Sequence, residues 1–269
     1  MKVTKENYFS KEASKEFNGV SQFKSFTGGC SAKEMDKLNG KLEEGKVKAF
    51  MQGHYVHAWS EGNGALEKFR ENNPEMFYKS DKDKPVKERR LLKTFQICES
   101  MIDRLESFDL VTEYLTGEKE IVIEFELYGQ KWKSMIDVVN LEEGRFVDLK
   151  TTRGIDRKYW NDDFSEKVSF VEKYNYPLQM AVYQKALYAK YGVKLHPFIV
   201  AVDKSDIPDV AIIDMEDEER FEKELAYVEE HIESVNMIKA GLIEPTRCEK
   251  CDYCKSTKKI DRVISYKEL

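Results

Sequence analysis

The stretch from Glu120 to Thr152, EIVIEFELYGQKWKSMIDVVNLEEGRFVDLKTT, alternates apolar and polar residues and is punctuated at Tyr128-Gly129-Gln130 and at Leu141-Glu142-Glu143-Gly144. Period-two alternation with glycine at the breaks predicts three antiparallel strands joined by tight turns. The third of these strands carries charge where a core strand should be apolar. Asp148 and Lys150 flank Leu149, and residues two apart in a strand share a face, so a carboxylate and an ammonium stand side by side with the leucine turned away. Asp137 closes the preceding apolar run, WKSMID. Three ionisable groups therefore converge at the ends of two neighbouring strands.

Outward from this meander the period changes. Ser31 is placed to cap a short helix, with Glu34 three residues on to complete a capping box and Gly40 as its stop. Residues 45–69 predict one or two helices, broken at Gly62-Asn63-Gly64. Residues 88–107 predict a longer amphipathic helix with Leu91, Leu92, Phe95, Cys98, Met101, Ile102 and Leu105 on its apolar side. Downstream, a helix over 176–191, strands at HPFIVAVDK and DVAIIDM, and a long acidic helix over 217–240 follow. This order predicts an α/β fold with a central mixed β-sheet flanked by helices. The expected organisation is one domain over 1–269: N-terminal helices 1–107, catalytic core 108–241 and a cysteine-containing tail 242–269. With no glycine-rich loop after a strand, dinucleotide-binding and P-loop enzymes are excluded.

The formal charge is −6 over 269 residues, which excludes coating of nucleic acid through overall basicity. It leaves room for a locally acidic cation site with basic groove walls. The segment KDKPVKERRLLK, Lys82 to Lys93, reads as the solvated start of a helix or as one such wall. The N-terminal residues are charged throughout and lack a signal-peptide core, and no apolar run is long enough to span a bilayer. A cytoplasmic location without membrane contact is the expectation.

Paired carboxylates with a flanking lysine suit phosphodiester hydrolysis. Mg²⁺ takes oxygen ligands and keeps several waters, so Asp137, Asp148 and the Leu149 carbonyl suffice to hold it, with Lys150 beside the attacking water. Gln179 and Tyr183 lie one helical turn apart on one face of the helix that follows.

Asp137 followed by Asp148-Leu149-Lys150-Thr151 resembles the PD-(D/E)xK nuclease core, also called restriction-endonuclease-like, with Ile136 in place of the usual proline. Gln179-x-x-x-Tyr183 resembles the Q-x-x-x-Y motif of its RecB-like branch, in which both side chains lie against the active site and the DNA backbone. Gly53-x-x-x-His57 resembles the G-x-x-x-H of the same branch, which makes His57 a further metal ligand; His54 is its rival on the same helix, and Glu61 or Glu67 a neighbouring carboxylate. Overall the chain is similar to phage exonucleases of the exonuclease VIII (RecE) type, including YqaJ-like enzymes. That resemblance implies a bacterial host and a phage or prophage origin. It implies Mg²⁺- or Mn²⁺-dependent, 5′-to-3′ digestion of linear double-stranded DNA, leaving 3′ single-stranded tails for a single-strand annealing recombinase, and assembly into a homo-oligomeric ring. A RecB-like nuclease acting on single strands or flaps, and a non-catalytic DNA-end-binding protein, are the alternatives.

Cys248-Glu-Lys-Cys251-Asp-Tyr-Cys254 holds three of the five cysteines. In a reducing compartment such density points to metal thiolates rather than disulfides, and Cys30 is the candidate fourth ligand. One N-terminal and three C-terminal cysteines resemble the iron-sulfur staple of AddB-type and CRISPR-adaptation nucleases in the RecB-like branch, which implies a [4Fe-4S] cluster. Zn²⁺ and four free thiols are the competing readings. Cys98, on an apolar helix face, is expected in the core.

Overall fold

The computed structural model describes residues 1–42, 47–161, 165–260, 262–263 and 265–268. Gly45 and Lys46, the start of the predicted 45–69 helical segment, lie outside the described residues.

The alternating stretch forms three strands, β1 (Glu118–Leu127), β2 (Gln130–Asn140) and β3 (Arg145–Thr152). Both turns use left-handed backbone, at Tyr128-Gly129 and at Gly144. A short hairpin, β4 (Tyr159–Asn161) with β5 (Glu166–Val168), follows, then β6 (His196–Asp203) and β7 (Val210–Asp214). The main sheet has the order β1-β2-β3-β6-β7, and only β3 and β6 run parallel. Those two sit in the middle with both faces covered, which is why Phe146, Val147, Leu149, Ile199, Val200, Ala201 and Val202 are all buried. The predicted mixed sheet flanked by helices is the observed architecture.

Eleven described helices surround it: α1 (Lys11–Glu16), α2 (Val20–Thr27), α3 (Ser31–Leu38), α4 (Lys48–Glu61), α5 (Ala65–Asn72), α6 (Lys93–Glu106), α7 (Asp109–Tyr114), α8 (Phe170–Lys173), α9 (Tyr176–Tyr191), α10 (Glu218–Lys239) and α11 (Asp252–Ser256). One core joins α2, α9 and α10 to the face bearing Trp132, Ile136 and Phe146. The other joins α4, α6 and α7 to the face bearing Val138, Val147 and Leu149. The sheet is thus the middle of three layers.

Two features open the sheet where the charges lie. The β2–β3 ladder holds only Val138 to Val147, Val139 to Phe146 and Asn140 to Arg145, whereas β3 stays paired to β6 from Arg145 through Thr152. Beyond the third pair β2 and β3 part, leaving a fork. The free edge of β2 is taken by Asn18, whose N–H donates to the Lys131 carbonyl at 2.9 Å and whose carbonyl accepts from Lys133 N–H at 2.8 Å. Lys133 is buried there, its ammonium donating to the Tyr8 carbonyl and to Ser14 Oγ.

Three local expectations are corrected. Ser31 does not cap its helix: Cys30 is the N-cap, and Ser31 Oγ instead accepts from the Thr246 N–H at 2.7 Å and donates to the Thr246 carbonyl at 3.1 Å. A tertiary partner outcompetes the local one. The helix predicted over 88–107 begins only at Lys93, so all of the Lys82–Lys93 segment but its last residue lies before the helix. Arg90 and Leu92 bridge in extended form to Tyr78 and Met76, and the Arg90 guanidinium pairs at 2.8 Å with buried Asp81. Leu92 is only half-buried, while the other predicted apolar positions, Cys98 included, are in the core. The β4–β5 hairpin and α8 have no counterpart in the sequence reading. Among the described residues no helix is long and apolar enough to cross a membrane.

Candidate active site

The fork gathers the ionisable residues. Continuing the β2–β3 register by one position sets Asp137 against Asp148. There the backbone ladder stops, and the Asp137 carboxylate takes over as acceptor for the Leu149 N–H, Oδ2 to N 2.7 Å. A strand residue presents its N–H and C=O to the same edge, so the Leu149 carbonyl opens on this fork as well.

Asp148 is 2% exposed. Its Oδ1 accepts from Gln179 Nε2 at 2.9 Å, and its Oδ2 lies 2.5 Å from Lys150 Nζ. Lys150 Nζ also stands 5.0 Å from the centre of the Tyr176 ring. Gln179 reaches the site because α9 starts at Asn175, whose side chain caps the Leu178 N–H, with Pro177 in the first turn. Tyr183 stands one turn further along α9, near enough to Gln179 for the amide to oppose the burial that raises its phenol.

From the other side α4 lies over the end of β3. Gly53 of α4 faces Thr151 at the end of β3, where an added Cβ would stand 3.4 Å from Thr151 Oγ1. One turn on, His57 Nδ1 stands 3.5 Å from Asp137 Oδ2. His54 is exposed and outside the group.

Glu120 joins the group although no sequence motif marks it. On β1 it faces Asp137 at the position where the β1–β2 pairing is interrupted, between Lys119 to Val138 and Ile121 to Ile136. Its φ is +53°, a left-handed backbone that a glutamate adopts at a cost of about 1 kcal/mol or more. Ile136 and Val138, two residues apart, pack into opposite cores, so β2 also turns over here. The result brings ligand atoms of His57, Glu120 and Asp137 within 4.8 Å of one another. The neighbouring carboxylate expected from Glu61 or Glu67 is supplied by Glu120 instead; Glu61 is ion-paired to Lys5. The only trace of this in the sequence is the apolar run Ile121-Val122-Ile123, which breaks the alternation.

Burial and neighbouring charge set the protonation states. Burial, reinforced by the Asp137 charge, pushes the Glu120 carboxyl up to about 7. Burial also raises Asp148, with Asp137 adding and Lys150 opposing. For Asp137 burial works upward, but the charge and hydrogen bond of His57 outweigh it and hold the carboxyl below its ordinary value. His57 is raised in turn, Asp137 overcoming burial. Lys150 is raised too: burial opposes its charge, yet Asp148 keeps the ammonium protonated. Buried carboxylates crowded on one side, with a fixed cation on the other, are an arrangement that a divalent cation would relieve.

A rim of basic and aromatic side chains borders Lys150. Lys24 Nζ lies 5.5 Å from the Tyr176 ring centre, and its pKa falls to about 8 through burial and then the Lys150 charge. Tyr174 stacks near both Tyr176 and Tyr159, Arg157 covers Tyr159, and Trp160 is 54% exposed.

Away from the fork, Cys30 at the N-cap of α3 meets Cys248, Cys251 and Cys254, all four Sγ atoms within 4.8 Å of one another. Backbone N–H groups of Lys250 and Cys251 bring the Cys248 thiol down to about 6.

A family model described as a PDDEXK-like domain of unknown function (DUF3799) matches residues 19–257. The crystal structure of a candidate exonuclease from Eubacterium rectale is 33% identical, covers 100% of this chain and 98% of its own, and superposes with a TM-score of 0.90. The structure of SSO0001 is 12% identical over 83% of this chain and 90% of that one, with a TM-score of 0.31. No curated protein matches the chain.

Proposed function

The chain belongs to the PDDEXK-like DUF3799 family, and from that membership together with the charges in the fork we propose that it is a divalent-metal-dependent deoxyribonuclease acting as an exonuclease. The observation that carries this reading is the Asp137 carboxylate bound to the Leu149 amide beside the Asp148–Lys150 pair. Two carboxylates and an ammonium are thereby fixed around one opening by backbone as well as side chains.

The donor set fits a hard cation: His57, Glu120 and Asp137 bring ligand atoms within 4.8 Å of one another, while Asp148, its oxygens against Gln179 and Lys150, and the Leu149 carbonyl would complete the set from β3. A bound Mg²⁺ or Mn²⁺ supplies Lewis acidity, polarising the scissile phosphate and lowering the pKa of water. Lys150 is the group that orients the attacking water, since its Nζ is held between Asp148 and the Tyr176 ring. Its fixed charge also stabilises the negative charge that builds on the phosphorus oxygens. Gln179 keeps Asp148 from rotating away, and Tyr183 stands beside Gln179 on the same face of α9. Lys24, Arg157, Tyr174 and Trp160 offer phosphate contacts and stacking surfaces for the strand being cut.

Polarity from 5′ to 3′, release of 3′ single-stranded tails to an annealing recombinase, and assembly into a ring around DNA are part of the same reading, carried by the resemblance to phage exonucleases. The test is digestion of linear duplex labelled at either the 5′ or the 3′ end, alongside circular and single-stranded DNA, with Mg²⁺, Mn²⁺ or EDTA. Metal-dependent loss of linear duplex is expected, with the 5′ label released first. Cleavage of single strands or flaps alone replaces the substrate class, and inert protein under every condition overturns the reading.

A further inference from the structure

We infer that Cys30, Cys248, Cys251 and Cys254 form a structural site for a single zinc ion and not for an iron-sulfur cluster. Cys254 Sγ lies 3.5 Å from Cys30 Sγ and 3.9 Å from Cys248 Sγ, and no pair of the four exceeds 4.8 Å. Four thiolates at about 2.3 Å from one tetrahedral zinc stand about 3.8 Å apart. A [4Fe-4S] cubane has its irons inside the thiolate tetrahedron and spreads the sulfurs to roughly 6 Å. The thiol spacing matches the first arrangement and is far too tight for the second, so the cluster implied by the resemblance does not fit these residues.

The surrounding backbone is built for the same purpose. The Cys251 N–H points at Cys248 Sγ at 3.4 Å and the Cys254 N–H at Cys251 Sγ at 3.5 Å, the amide-to-sulfur bonds that orient and partly neutralise metal-bound thiolates. Glu249, between the first two cysteines, has φ +57°, the bend that folds a C-x-x-C segment back on itself. Cys254 is fully buried and Cys30 nearly so, and all four are free thiols. Four converging thiols without a bridge, half of them shielded from solvent, are accounted for by a bound thiophilic ion. The site ties α3 to the segment from Thr246 to Thr257, a junction already made by the Ser31–Thr246 hydrogen bonds and by Tyr253 Oη donating to Asp36 Oδ2 at 2.7 Å.

The test is elemental analysis, with acid-labile sulfide, of wild-type protein purified anaerobically and without chelator from cells supplied with both iron and zinc. About one zinc per chain and no sulfide are expected. Exchange into Co²⁺ should give the visible ligand-field bands of a tetrahedral tetrathiolate. Cys254→Ser should lose the zinc, while Cys98→Ser and the fork variant His57→Ala should keep it. Iron with sulfide, iron alone, a disulfide among the four, or metal-free protein with four freely titrating thiols would each overturn the inference. None of these readouts depends on nuclease activity.

Discussion

The Leu149 amide donates its hydrogen to Asp137 Oδ2 at 2.7 Å, so one carboxylate both closes the interrupted β2–β3 ladder and faces the cation space. These two roles separate by substitution. Asp137→Asn keeps an acceptor for the amide and should fold with near wild-type stability while losing metal binding and cleavage. Asp137→Leu leaves a buried N–H without a partner and should cost about 1–3 kcal/mol in addition. Denaturant melts of the two variants check the difference.

Lys150→Ala should abolish digestion of end-labelled duplex, by about a hundredfold or more, with fold and DNA binding retained. Gel-shift and melting measurements beside the nuclease assay make the comparison. Turnover near wild type would remove Lys150 from the mechanism.

Glu120→Gln should weaken Mn²⁺ binding about tenfold and leave the fork intact, because the amide matches the carboxylate in shape while removing a charge. Titration calorimetry reads this directly. An unchanged affinity would make Glu120 a bystander.

The raised Glu120 carboxyl sets a pH dependence. With its folded pKa at about 7 and an unfolded value near 4.3, the native metal-free state holds a proton that the unfolded chain releases. The stability this contributes is complete below the unfolded value and is lost as pH rises toward 7. EDTA-treated wild-type protein should therefore lose melting temperature between pH 5 and 7 relative to Glu120→Gln. Mn²⁺ affinity should climb over the same interval and level off above it, as metal no longer has to displace that proton.

Much of this arrangement is visible in the sequence, and the parts that are not share a cause. Period-two alternation marks β1 to β3, and the structure brings Asp137, Asp148 and Lys150 together, although within β2 and β3, where the ladder forks, and not at the strand ends the spacing suggests. Pro177 and Gly192 bound α9, which carries Gln179 to Asp148. Glu120 was hidden because its approach to Asp137 depends on one left-handed residue, which local propensity assigns to glycine. The capping role of Ser31 was overridden by Thr246, more than 200 residues away. The β4–β5 hairpin has three residues per strand, too few for alternation to register. Asn18 completes the edge of β2 through main-chain atoms, about which side-chain pattern is silent.

The parallel pairing of β3 with β6 reaches across 51 residues, from Arg145 to His196 and from Thr152 to Asp203. Asp148 and Lys150 take their positions from that long-range ladder, which closes only when segments about fifty residues apart meet. Local hairpins and helices alone do not bring Asp148 and Lys150 into the sheet's centre. A change that loosens this seam is therefore expected to silence the proposed site even where the local hairpins and helices persist.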